Sequence, residues 1–183
     1  MQEYLAKTLQ GLEGVLADEL KALGAKDIEI QRRAVSFKGD KKTLYKANFW
    51  LRTALRILKP VAVFKVNSPD DVYTEIKKLK LEEFITANKT FSIDTTVYSE
   101  QINHSRYVTY KAKDAIVDYF TEKYGKRPNV SVTNPDIYFN LHISHTTCTL
   151  SLDSSGAPLF KRGYRVAQTE APINEVLAAG IIL

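Results

Sequence analysis

Residues 137–152 restrict the fold more than any other stretch of the chain. Ile137, Phe139, Leu141 and Ile143 are apolar on odd positions, whereas Cys148, Leu150 and Leu152 are apolar on even ones. Apolar residues at every second position are what a half-buried strand requires. A one-residue slip would turn such a strand's apolar side to water, so the change of parity has to be absorbed by a connection. It predicts a turn over Ser144 to Thr147 and an antiparallel hairpin with one oily face. The rest of the sequence must supply strands beside that hairpin and helices to cover it.

The chain in order does so. Tyr4 to Leu9 is a β-prone run, and residues 12–23 place Leu12, Val15, Leu16, Leu20 and Leu23 on one helical face, with Gly24 as a C-terminal stop. Ile28 to Ile30 and Val35 to Phe37 alternate across Gln31-Arg-Arg33 and read as a hairpin. A helix over Lys41 to Leu51 turns Leu44, Ala47 and Leu51 inward, and Leu55 to Val66 is β-prone, with Pro60 marking an edge or a bulge. The order β-α-β-β-α-β is that of a ferredoxin-like α+β unit. A second unit opens at Ser68, a good N-cap, with Pro69 at the first helical position and Asp70 and Asp71 at the positive end of the helix dipole. Leu81, Phe84 and Ile85 predict a second short helix, and Phe91, Ile93, Thr95 and Val97 a strand. A long helix then runs from Ser105 to Tyr124 with Val108, Ala112, Ala115, Ile116, Tyr119 and Phe120 inward. With the terminal hairpin this unit reads α-α-β-α-β-β. The last segment, Ala167 to Leu183, starts helix-like and ends on an apolar run, the pattern of a chain that stops inside the first helix of a following domain.

Charge narrows the function class. The net charge is only +5, but residues 31–65 hold ten Lys/Arg against the single acid Asp40, so that window carries +9 and the remaining 148 residues are net −4. Concentrated positive charge is the footprint of a polyanion partner. On the long helix, Arg106, Tyr110 and Lys113 stand at i, i+4 and i+7 and share a face away from the apolar stripe. Asn103 and His104 stand at its start, where free backbone N–H groups favour a phosphate. A further basic-aromatic cluster, Lys161, Arg162, Tyr164 and Arg165, follows the hairpin, with no acid between Asp153 and Glu170. The same surfaces suit a solvated exterior or an acidic protein partner, and the salt dependence of nucleic-acid binding separates these readings.

Several chemistries find no support. There is no G-x-G-x-x-G and no G-x-x-x-x-G-K-[ST]. His104, His142, His145 and the lone Cys148 lack the spacing of a metal site, and Cys148 falls on the apolar parity of its strand, where a thiol is inert. Asp70-Asp71 and Glu82-Glu83 are adjacent in helical segments and serve capping better than paired acid–base work. With one cysteine no internal disulfide forms, so a reducing cytoplasm is expected. No secretory signal and no apolar run near the ~20 residues of a membrane span is present. No catalytic or metal site is expected within these residues.

The hairpin, the turn Leu152-Asp-Ser-Ser-Gly156 and the element Lys161-Arg-Gly-Tyr-Arg165 followed by Glu170-Ala-Pro-Ile-Asn-Glu-Val-Leu-Ala-Ala179 resemble the THUMP-domain RNA methyltransferases. Gly11-Leu-Glu-Gly-Val-Leu-Ala-Asp-Glu-Leu20 and Leu44-Tyr-Lys-Ala-Asn-Phe-Trp-Leu-Arg-Thr53 are further matching pieces. The similarity is greatest to the bacterial 23S rRNA guanine-N2 methyltransferases, whose members are often labelled N6-adenine-specific DNA methylases. It spans essentially the whole chain. The resemblance implies a ferredoxin-like domain over 1–66, a THUMP RNA-binding domain over 67–165, and over 166–183 a linker and the start of a Rossmann-like methyltransferase domain that uses S-adenosylmethionine. The family's cofactor-binding glycine motif and its Asn/Asp-Pro-Pro-Tyr catalytic motif do not occur in these residues, so no cofactor is expected here and RNA, 23S rRNA in particular, is the expected partner. Candidate RNA contacts are Arg32, Arg33, Lys41, Lys42, Arg52, Arg56, Arg106, Tyr110, Lys113, Lys126, Arg127, Lys161, Arg162 and Arg165. For Lys161 to Arg165 a second role is favoured, locking the module against the methyltransferase domain, with Tyr164 as a packing residue.

Overall fold

The computed structural model describes residues 1–163, 165–167 and 170–183. Tyr164, and with it the packing role expected of its ring, lies outside the described residues. In chain order the elements are β1 (Gln2–Lys7), α1 (Glu13–Ala22), β2 (Lys26–Gln31), β3 (Ala34–Gly39), α2 (Lys41–Trp50), β4 (Arg56–Lys65), α3 (Pro69–Lys77), a 3-10 turn (Leu81–Glu83), β5 (Thr90–Tyr98), α4 (Ser105–Tyr124), β6 (Asn129–Val130), β7 (Ile137–Ser144), β8 (Thr147–Asp153) and α5 (Glu175–Ile182). They divide into two compact units, Met1–Lys59 with Ser154–Leu183, and Pro60–Asp153.

The first unit is an antiparallel sheet in the order β2-β3-β1-β4 with α1 and α2 packed on it. Tyr4 pairs with Phe37 across β1 and β3, and their rings meet at 5.5 Å. Leu16 and Leu20 of α1 and Ala47 of α2 close over Tyr4, Ala6, Val35 and Phe37, so the helical and strand periods converge on one core. Asp40 caps α2 by accepting from the Thr43 N–H at 2.7 Å and from its hydroxyl at 2.8 Å. The Glu13 carboxylate accepts from the backbone N–H groups of Gly11 (2.7 Å) and Arg33 (2.9 Å), which ties the start of α1 to the β2–β3 turn. Pro60, with no N–H to give, lies beyond Leu58, the last β4 residue paired with β1.

The second unit carries strands in the order β4-β8-β7-β5-β6. β5 and β7 run parallel over eight residue pairs, Phe91↔Ile137 to Tyr98↔Ser144, and α4 makes the crossover between them. β7 and β8 form the expected hairpin, with Ser144↔Thr147 as its last pair and His145 at a positive φ of 53° in the turn. Ser68 and Asp71 form a reciprocal capping box at α3 with Pro69 behind the cap. Val108, Ala112, Ala115, Ile116 and Phe120 are the buried stripe of α4, and Gly125 ends the helix at φ +66°. The expected second short helix is only the 3-10 turn at Leu81. The two-residue β6 had no periodicity to announce it.

Candidate nucleic-acid interface

On α4, the buried stripe fixes which residues face outward, and the outward face holds the expected trio. The Arg106 Nε–H donates to the Tyr110 hydroxyl at 3.0 Å, the Arg106 guanidinium lies 5.9 Å from the Tyr110 ring centre, and the Lys113 ammonium lies at the same distance from it. One exposed ring is thus flanked by two cations. Lys113 also pairs with Asp114 at 2.7 Å, which takes up part of its charge. The neighbouring Lys111 is committed to Asp70 at 2.6 Å. His104 occupies the N-cap position without a side-chain cap bond, and its carbonyl accepts from the N–H groups of Tyr107 and Val108. Lys126 and Arg127 follow Gly125 and are exposed.

In the first unit the structure separates the basic window into engaged and disengaged charges. Arg52 is engaged: its Nε–H and backbone N–H both donate to Glu19, at 3.2 and 3.1 Å. Arg56 donates to the Gly156 carbonyl at 2.9 Å. Arg32 and Arg33 are exposed at the β2–β3 turn, with Arg33 at φ +58°. Lys41 and Lys42 are exposed on the first turn of α2 and have no ion-pair partner among the described residues.

Of the Lys161–Arg165 cluster, the three cations lie among the described residues. Arg162 reaches back to the C-terminal end of α2, where helical carbonyls lack partners. Its guanidinium donates to the carbonyls of Asn48 (2.8 Å), Leu51 (2.9 Å) and Phe49, and its Nε–H to Leu159 at 2.8 Å. A fork of N–H donors suits several carbonyls at once, and its charge meets the negative end of the helix dipole. Arg165 pairs with Glu175 of α5 at 2.9 Å and donates to the Ile173 carbonyl at 2.7 Å. Lys161 stays exposed. Two of the three cations are therefore spent inside the first unit.

The sequence reading did not single out Tyr45, Phe49 and Trp50. They are 72%, 68% and 61% exposed on α2, and Phe49 and Trp50 meet edge to face at 5.0 Å. Their spacing with Lys42 and Lys46, opposite Leu44, Ala47 and Leu51, was the available signal. Phe49, Trp50, Lys46 and Lys161 line one groove of this unit, together with Asp18 and Glu19 of α1.

The shifted protonation equilibria are structural. Asp136 is held down to about 2 by the Thr90 N–H, the Lys89 ammonium and the Thr90 hydroxyl, and Glu82 is held down to about 2 by Lys123 and Tyr119. Burial pushes the Cys148 thiol up to about 12. Among the described residues no group of three or more His, Cys, Asp or Glu could hold a metal ion, and no helix is long and apolar enough to cross a membrane.

Comparison with known proteins agrees with both units. Residues 3–58 match the RlmL ferredoxin-like domain and residues 66–153 the THUMP domain. The chain is 42% identical, over 99% of its length, to the ribosomal RNA large subunit methyltransferase K/L of Syntrophotalea carbinolica, and covers 25% of that protein. A crystal structure of a "predicted N6-adenine-specific DNA methylase" from Listeria monocytogenes superposes with a TM-score of 0.84 at 30% identity, over 99% of this chain and 47% of that one. A "putative methyltransferase complexed with SAH" gives a TM-score of 0.82 at 28% identity, over 99% and 48%. A ferredoxin-like domain followed by a THUMP domain thus defines the class. The chain belongs to the class that joins an RlmL-type ferredoxin-like domain to a THUMP domain, and it spans between a quarter and about half the length of these relatives.

Proposed function

We propose that these residues are the RNA-capturing portion of a rRNA methyltransferase. They hold structured RNA while a Rossmann-like domain outside this sequence transfers a methyl group to a guanine N2 of 23S rRNA. The observation that carries the reading is the α4 face, where Tyr110 stands exposed between Arg106 and Lys113 on a THUMP domain. Phosphates are held by such cations without reading sequence, and an unpaired base can stack on the ring. The rRNA substrate rests on the K/L relative, and S-adenosylmethionine on the relative crystallised with SAH. This chain's own residues do not fit that cofactor, because the sequence has no glycine-rich nucleotide loop. We therefore assign the cofactor, with the chemistry, to the methyltransferase domain.

Binding of a fluorescently labelled 23S rRNA hairpin to the 183-residue chain, followed by anisotropy across a salt titration, tests the reading. Log K is expected to fall linearly with log salt. Arg106→Ala with Lys113→Ala should weaken binding and flatten the slope by up to ~2 units, nearer ~1 if Asp114 already offsets Lys113. An unchanged slope would mean that this face is only solvated surface.

A further inference from the structure

We infer that the outward face of α2 is a second RNA site, a stacking surface for unpaired nucleotides; this rests on the RNA-capturing reading and adds to it a site on the ferredoxin-like unit. Lys42, Tyr45, Lys46 and Phe49 stand at i, i+3, i+4 and i+7, one stripe of the helix, with Trp50 beside Phe49. A ten-residue helix that shows three large aromatic side chains at 61–72% exposure keeps them out for a reason other than its own core, which Ala47 and Leu51 already fill.

Charge decides between a protein and a nucleic-acid occupant. Lys41, Lys42 and Lys46 are exposed and have no ion-pair partner among the described residues, and Lys161 shares a groove with Phe49 and Trp50. Of the two acids on that groove, Asp18 is exposed and Glu19 is already occupied by Arg52 and by the Thr53 N–H at 3.0 Å, and they face four cations, Lys46, Arg52, Lys161 and Arg162. Protein interfaces are depleted in Lys, whereas a polyanion that carries ring systems wants lysines interleaved with aromatics. Arg162 completes the arrangement. The last turn of α2 would otherwise present bare carbonyls and the negative dipole end next to Phe49 and Trp50, and the guanidinium covers three of those carbonyls. Spacing narrows the ligand further. Tyr45 and Phe49 are one helical turn apart, ~6 Å along the axis. That exceeds the ~3.4 Å rise of stacked bases, so the face takes bases that have left a stack.

Trp50 is the only tryptophan of the chain and reports on its own face. In the 183-residue chain, a ten-nucleotide oligoadenylate should quench Trp50 emission saturably, and a fully paired RNA duplex with the same number of phosphates should quench it far less. Tyr45→Ala and Phe49→Ala, both at exposed positions, should each weaken the oligoadenylate about 10-fold, with circular dichroism unchanged. Equal quenching by duplex and single strand, no quenching, or quenching that ignores both substitutions overturns the site. So does concentration-dependent self-association abolished by Phe49→Ala without quenching, because the face would then serve a protein. The labelled hairpin measured in parallel keeps the two readings apart. If the hairpin binds with a steep salt slope while oligoadenylate never quenches, the α2 site falls and RNA capture stands; if neither binds, both fall.

Discussion

Asp136 shows how much one side chain can settle in a short connection. Its carboxylate accepts from the Thr90 N–H and hydroxyl, each at 2.9 Å, and from the Lys89 ammonium at 2.9 Å, while its own N–H donates back to the Thr90 hydroxyl at 3.0 Å. These bonds fix the start of β5 against the start of β7, the parallel pair at the centre of the second unit. The donors stabilise the ionised form and hold its pKa down to about 2. A folded pKa below the unfolded value of ~3.9 gives stability that is fully present above the unfolded value and is lost as pH falls through the folded one. The chain should therefore lose thermal stability as pH drops from about 4 towards about 2. Asp136→Asn should melt at lower temperature near pH 7 and show a shallower decline over that window. Some decline will remain, because Glu82 titrates towards about 2 as well. A variant whose melting curve follows the parent's pH dependence throughout would show that the connection owes nothing to this carboxylate.

Among the elements, α2 depends most on a residue far from it in sequence. Leu51 closes the helix in an extended conformation, and Asn48, Phe49 and Leu51 turn their carbonyls to Arg162, a residue from beyond the last strand. Arg162→Ala should cost about 1–3 kcal/mol in a denaturant titration, the range for stranding polar groups of this kind. Arg162→Lys should recover part of this, since a point charge satisfies the dipole but lacks the fork. Loss below ~0.5 kcal/mol for the alanine variant would mean that water replaces the guanidinium without penalty. The same contact shows where sequence reading stops. α4 was legible from Ser105 to Tyr124, and the β7–β8 hairpin from its parity change, because each buries a stripe with one period. The meeting of Arg106, Tyr110 and Lys113 was legible for the same reason, as spacing alone puts them on one face. The return of Ser154 to Arg162 to the first unit has no period at all. It rests on Ser154 and Ser155 bonding Ile57, on Leu159 bonding Leu55, and on the Arg162 fork. The outward aromatics of α2 were obscured because rings on a helix ordinarily mark its core side.

For the molecule as a whole, the proposed division of labour makes a kinetic prediction. Capture by faces that grip phosphate and unpaired bases binds substrate and transition state alike, so removing such contacts raises KM and leaves kcat in place. In a protein carrying these residues together with its methyltransferase domain, Arg106→Ala with Lys113→Ala should raise KM for rRNA by about 10-fold or more at low salt, with kcat and the affinity for S-adenosylmethionine unchanged. The penalty should shrink as ionic strength rises, since screening weakens the contacts that the substitution removes. The two sites are also predicted to take different parts of an RNA, so that losses at the two are separate and add. Combining the α4 pair with Tyr45→Ala should therefore weaken binding of an RNA that has both a helix and an unpaired segment beyond either change alone. An RNA that is fully paired should lose nothing further from Tyr45→Ala. A fall in kcat at unchanged KM would instead place these side chains in the methyl-transfer step, and capture would no longer describe what they do.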